Sequence, residues 1–396
     1  MNNPYAELFK TPGAAAFVCA GLLGRTALPM TGIGIITMLS QRHGSYTLAG
    51  GVAAAFVMTY ALLSPQTSRL VDRYGQSRVL PLATVISVIG FGLLACASLW
   101  QAAHWTLFAG AVMAGGMPSV SAMVRARWAT LCSGQARLQT AYSLETVLDE
   151  VTFIAGPPLA VGLSIMVFAE AGIMAAAALQ AVGVAALLRQ RQTEPPVVAR
   201  GDSRQAAVIG LMDMRLLTLL LVAMGLIVGT VDIASVAFAE HLGRPALASL
   251  VLASYAAGSC LAGLVYGALV LSVPLSRLLL WGGAATAVAT VPLVFVGNMS
   301  GLAVAVFVAG LSFAPTMIVA MSLVEKIVPE QQLTEGLTWL LSGLNAGVAL
   351  GAAVSGRIVD AYGAESAFGT SLCAGLAVVL CAAWVHARFA LSPQKC

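Results

Sequence analysis

Apolar runs of about 20 residues, each long enough to cross a hydrocarbon core of roughly 30 Å as a helix, follow one another almost end to end through this chain. Composition agrees, with 59% hydrophobic residues, 9% charged residues and a mean hydropathy of +0.91. A soluble domain needs far more polar surface than this. The fold class is therefore an all-α membrane protein crossing the bilayer many times.

Twelve helices are predicted at 13–40, 46–66, 78–99, 103–124, 141–165, 170–189, 214–239, 246–270, 278–297, 300–324, 335–357 and 366–388. With both termini on one side, sixteen of the twenty basic residues fall on that side, Arg125, Arg127 and Arg137 among them. Arg42, Arg244 and Arg357 fall opposite, and Arg25 lies inside the first span. By the positive-inside rule the terminal side is cytosolic. The pI near 8.7 thus reports orientation and not nucleic-acid binding. The polar opening MNNPYAELFK and the long run after it do not fit a cleavable signal, so both termini are expected in the cytoplasm, with the chain in a bacterial inner membrane. The seven cysteines are scattered without metal-type spacing and read as packing residues.

The longest polar connection, RQRQTEPPVVARGDSR at 189–204, divides the chain near its middle. It predicts an N-terminal six-helix bundle at 1–189, a cytoplasmic loop at 190–212 and a C-terminal bundle at 213–396. Laying 42–80 on 241–279 without gaps gives eleven identities in 39 positions, including Gly44 with Gly243 and Ser77-Arg78 with Ser276-Arg277. That is where a parallel repeat of two bundles would place them.

Twelve spans, a six-plus-six repeat and a basic central loop resemble the major facilitator superfamily, and the loop after the second span makes the resemblance specific. It reads SRLVDRYGQSR, 68–78, similar to the superfamily signature of Gly, three residues, Asp-Arg, one residue, Gly and then basic residues. Asp72, Arg73, Gly75 and Arg78 match, while Ser68 stands at the leading glycine. Such a turn can act as a conformational latch, its Asp meeting a helix N-terminus or an arginine of the facing half; the plainer reading is an ordinary positive-inside turn. In the fifth span, Gly156-Pro157-Pro158 is similar to the Gly-Pro motif of antiporter branches, where Gly allows close helix contact and Pro bends the helix. The fourth span departs from the drug-antiporter pattern. Ala111-Val112 stand where an arginine usually precedes a Gly-rich patch, so proton coupling through that arginine is unavailable.

An ionisable group inside a membrane helix costs about 2.5 to 3.5 kcal/mol on insertion scales and so usually faces a cavity or a partner. Arg25, Asp149, Glu150 and Asp232 are such groups and are the candidates for substrate binding and proton coupling. Glu145, two turns in from Arg137, reads as snorkelling to the cytosolic boundary. Asp149 and Glu150 share a buried level and compete for Arg25, the one intramembrane cation. They form a static pair with it, or an exchange in which one acid carries a proton, or they contact a cationic substrate directly. Asp232 lies in line with Gly225, Gly229 and Ser235, the small face of the seventh span, which the family resemblance places on the central cavity. Pro118-Ser119 and Pro315-Thr316 suit bends in gating helices. Asn345 falls opposite Glu150 by repeat symmetry, Trp128 reads as an interfacial belt residue, and Trp339 as core or lipid packing.

These features predict a secondary transporter that works by alternating access, exporting a small metabolite or drug in exchange for protons. A proton symporter or uniporter importing a nutrient is the alternative. No phosphate-binding loop is present, so an ion gradient must drive the cycle. A polytopic membrane enzyme is a remote reading, because His43, His104, His241 and His386 lie far apart in sequence. No cofactor, metal or nucleic-acid partner is expected. The partners are a small-molecule substrate, protons and the lipid bilayer, with the protein a monomer.

Overall fold

The computed structural model describes residues 3–132, 134–197, 207–244, 247–269 and 271–391. Among these residues it is wholly helical. A short α1 (Pro4–Phe9) precedes α2 (Ala14–His43), α3 (Tyr46–Tyr74), α4 (Gln76–Leu99), α5 (His104–Gly115), α6 (Val120–Leu131), α7 (Gln135–Met166) and α8 (Ala171–Leu188). The second half holds α9 (Met212–His241), α10 (Leu247–Ala268), α11 (Leu275–Thr290), α12 (Met299–Ile327), α13 (Leu333–Tyr362) and α14 (Ala364–Leu391). Twelve segments are long and apolar enough to cross a membrane, α5 and α6 together making the fourth. The protein is a multi-pass membrane protein.

Local chemistry sets the ends. Gly44 and Gly243, matched in the repeat, both follow a helix with positive φ, +63° and +67°, a backbone region open to glycine but costly for most residues. Pro118 lacks the N–H that would continue α5, and Ser119 restarts the helix by accepting the N–H of Ala122 at 3.2 Å. In α12, by contrast, the helix runs through Pro315, and Thr316 bonds the Ser312 carbonyl at 2.8 Å. Helix α7 likewise stays a single helix through Pro157 and Pro158.

The spans overlap the predicted ones but run further at the end bearing the termini. The second reaches Tyr74, the fourth Leu131, and the fifth starts at Gln135. Hydropathy stops at the first polar residues, whereas a helix continues wherever protein contacts satisfy them. Helices α2 to α8 pack chiefly on one another, as do α9 to α14. The halves meet mainly through α3 on α13 and α7 on α10. Most of the polar contacts between them lie toward the terminal end. Gln139 donates to the Tyr266 and Leu269 carbonyls at 2.8 and 3.0 Å, and Thr140 to the Gly267 carbonyl at 2.6 Å.

Candidate functional site

Between the halves lies a cavity of about 610 Å³. Its floor is formed by Gly24, Thr146, Met317 and Leu341, and it extends away from the termini past Pro158 on α7 and Ser249 at the start of α10. With the terminal end closed by the α3–α13 and α7–α10 contacts, the cavity faces the opposite side. Arg25, Asp149, Glu150, Asp232 and Asn345 line it, as do Pro118 and Pro157. Pro315 is not a lining residue, although its neighbours Phe313 and Met317 are.

The charged floor differs from the expected single cation shared by two acids. Arg25 donates to Asp149 at 2.8 Å and also pairs with Glu145. Its Nε reaches the Gly21 carbonyl one turn back, at 3.2 Å. Glu145 is fully buried and accepts a further bond from Trp128 Nε1 at 2.9 Å. It does not snorkel, because a carboxylate two turns inside a protein-covered helix finds donors nearer than water. Trp128, in turn, is a core residue with no exposed surface and not a belt residue. It stacks edge-on against Phe17.

A second buried cation, Arg125, completes the group. It donates to Asp149 at 2.8 Å from the other side and to Thr146 at 3.3 Å, while Ser121 bonds Asp149 at 2.7 Å. Two arginines and two carboxylates thus neutralise each other, and Glu150 takes no part. Hydropathy ends the fourth span at 124 and so places Arg125 on the cytosolic side. The signal was the break at Pro118. A helix restarted at Ser119 needs three more turns to leave the membrane, and α6 runs toward the terminal end, so its side chains tilt back to the interior. Arg127, placed on the same side, is buried too. It donates to Gln76 at 2.9 Å and to the carbonyls of Gln190 and Leu187, tying α6 to the C-terminus of α8.

Glu150 faces the other half, where Ser259 of α10 donates to it at 2.8 Å. Asp232 of α9 lines the same cavity and has no ion-pair partner among the described residues. Gly225 and Gly229, expected beside it on the cavity, instead form a packing seam. An added Cβ at either would run into α13 backbone, near the Leu344 and Val348 carbonyls. Asp232 sits at the edge of that seam. Gly156 packs on Pro29 and Met30 of α2, as Gly351 packs on Leu226 of α9, a symmetric pair of close contacts. Asn345 donates back to the Leu341 carbonyl at 2.9 Å. Trp339 packs against the core and does not line the cavity. His43 and His104, far apart in sequence, meet edge-to-face with ring centroids 6.1 Å apart.

At the terminal end Asp72 accepts two backbone N–H groups at the start of α13, from Thr334 at 3.2 Å and Glu335 at 2.7 Å. One turn deeper Thr338 donates to Ser68 at 2.8 Å. The serine at the family's glycine position therefore adds a bond between halves. Gly75, at φ +92°, turns the chain from α3 into α4, and the N–H of Ser77, two residues on, donates to Glu194 at 2.8 Å. Arg73 and Arg78 are exposed, Arg73 lying over the Tyr74 ring.

The chain is similar to known proteins in sequence and in fold. An uncharacterized MFS-type transporter of Sinorhizobium fredii, y4rN, is 26% identical over 96% of this chain and 95% of its own length. A bacterial homologue of the iron transporter ferroportin in its outward-facing state superposes with a TM-score of 0.76 at 12% identity, covering 95% of this chain and 99% of its own. FucP in the outward conformation gives 0.72 at 13% identity over 94% and 98%, and the human organic anion transporter MFSD10 gives 0.72 at 12% over 93% and 98%. The family model described as Major Facilitator Superfamily matches twice, over residues 15–236 and 216–393. With twelve spans and a cavity between two halves, the chain belongs to the major facilitator superfamily and is a transporter of a small molecule.

Proposed function

We propose that this transporter exports a small metabolite or drug in exchange for protons across a bacterial inner membrane, as a monomer with both termini in the cytoplasm. The six-helix units at 1–189 and 213–396, joined by the 190–212 loop, rock about the cavity. The observation that carries the reading is Glu150: a carboxylate on the cavity wall that, among the described residues, meets no arginine and is bonded only to Ser259 of the opposite half. A carboxylate so placed is costly to leave charged and unpaired. It holds a proton when the site is empty and releases it when a substrate or the opposite aqueous side takes over. The Arg25–Glu145–Asp149–Arg125 group is a static brace of the first half, and Asp72 with Arg73, Gly75 and Arg78 is the latch of the closed end. Gly156, Pro157, Pro118 and Pro315 shape the moving helices.

The test is gradient-driven flux in everted vesicles. Glu150→Gln abolishes it at every substrate concentration. Flux in the variant that still follows the pH gradient would sink the proton role. A deletion strain made sensitive to toxic compounds supports export, and one that starves on a carbon source reverses the direction.

A further inference from the structure

We infer that the cavity is built for an amphipathic organic cation, held between Glu150 of the first half and Asp232 of the second. The inference rests on the transport reading above and names its substrate class.

Charge on the cavity wall carries the first step. The guanidinium of Arg25 is committed to Gly21, Glu145 and Asp149, and Arg125 is fully buried against Asp149 and Thr146. An anionic ligand therefore meets no uncommitted arginine there. Glu150 and Asp232 are the carboxylates left over, one on each half, lining one cavity. A cation between them would offset two charges that the protein does not neutralise, and it would do so only while the halves are in register.

The second observation is Tyr255. It is 8% exposed, lines the same cavity and leaves its buried hydroxyl without a partner. Glu150, on α7, and Asp232, on α9, line the cavity with it. A buried hydroxyl without a bond is rare in native proteins, and a ligand ammonium or polar group at this point would supply one.

The remaining lining selects the body of the ligand. Phe56, Tyr60, Phe153 and Phe313 join Tyr255 as aromatic walls, and aromatic faces attract organic cations, more strongly when water is excluded. Several lining hydrogen-bonding groups are already taken: Ser121 by Asp149, Thr146 by the Tyr142 carbonyl, Gln180 by Ser87. A bare divalent metal fits poorly: a hard cation such as Ca2+ or Mg2+ needs about six or more oxygen ligands, and no group of three or more His, Cys, Asp or Glu residues able to hold a metal occurs among the described residues.

The experiment is equilibrium binding to the full-length protein in detergent, without a gradient, of tetraphenylphosphonium and its isosteric anion tetraphenylborate. The phosphonium binds the wild type, the borate does not, and Asp232→Asn and Glu150→Gln each weaken phosphonium binding more than about tenfold. Asp232→Glu restores most of it. Neither acid forms a salt bridge among the described residues, so its amide variant strands no partner charge, and thermal melting of both variants stays at or above the wild type. Equal or tighter binding of the borate, failure of the wild type to bind the phosphonium, or unchanged binding in both variants overturns the inference. Gradient-driven extrusion of a neutral probe by a protein that ignores the phosphonium would retain proton exchange and still overturn the cation site.

Discussion

Arg125 donates to Asp149 at 2.8 Å from the side opposite Arg25, so this carboxylate is held between two arginines from two different spans. With Glu145 the group is charge-balanced, and removing one member leaves a buried charge uncompensated. Breaking such a pair costs about 3–5 kcal/mol, whereas replacing both partners by apolar side chains can be close to neutral. Arg25→Met is therefore expected to lower the thermal unfolding midpoint in detergent markedly, and Arg25→Met with Glu145→Leu to recover much of the loss. A double variant less stable than the single one would show that the brace does not work by charge compensation.

The twelve spans were legible because a membrane allows little else for runs of that length, and the signature around Asp72 and Gly75 because a charged turn between two spans stands out. The pairing was not legible. Arg25, Glu145 and Asp149 were visible as unusual residues, but which acid meets which arginine depends on side-chain direction and helix rotation. Arg125 was hidden by hydropathy, which ends a span at the first arginine even when the helix runs on for six more residues to Leu131. Gly225 and Gly229 misled in the other direction. A small face suits a cavity and a tight helix seam equally, and the contacts with α13 decide for the seam.

The latch can be measured as a population. Asp72 holds two N–H groups at the start of α13, and hydrogen bonds to a charged group contribute about 1.5–3 kcal/mol each. Asp72→Ala should shift the equilibrium away from the closed terminal end by tenfold or more. Spin labels at Arg189→Cys and Arg277→Cys, both exposed and one on each half, would report a longer distance in the variant on a cysteine-free background. An unchanged distance distribution would mean that the α7–α10 contacts hold this end closed without Asp72.

A second fastening is made by the N-terminal helix. Leu8 is fully buried, Arg137 reaches Thr11 at 2.7 Å, and the Tyr5 hydroxyl donates to the Leu264 carbonyl of the opposite half at 2.7 Å. Burial pushes the Tyr5 phenol up to about 12 from 10.0. Because the folded value is raised, the contribution is fully present below about pH 10 and is lost as the pH climbs toward 12. The closed population should fall over that window in the wild type more than in Tyr5→Phe, which lacks the bond throughout and starts lower by about 1 kcal/mol. The same labels read both, and identical pH curves for the two proteins would remove Tyr5 from the closure.

The α9–α13 seam gives the most local prediction. At Gly229 an added Cβ would press on the Val348 carbonyl and the Ala352 N–H, and at Gly225 on the Leu344 carbonyl and the Val348 N–H. These are backbone atoms of a packed helix, which yield only if the helices separate. Overpacking of this kind costs about 1–3 kcal/mol, to be set against a gain near 1 kcal/mol for replacing a mid-helix glycine by alanine. Gly229→Ala and Gly225→Ala should each lower the unfolding midpoint, and the double variant more so. Gly32, which has open space around its Cβ position, takes alanine with no loss. If Gly229→Ala melted at or above the wild type, the two helices would have room to part, and the seam would be a sliding surface and not a fixed one.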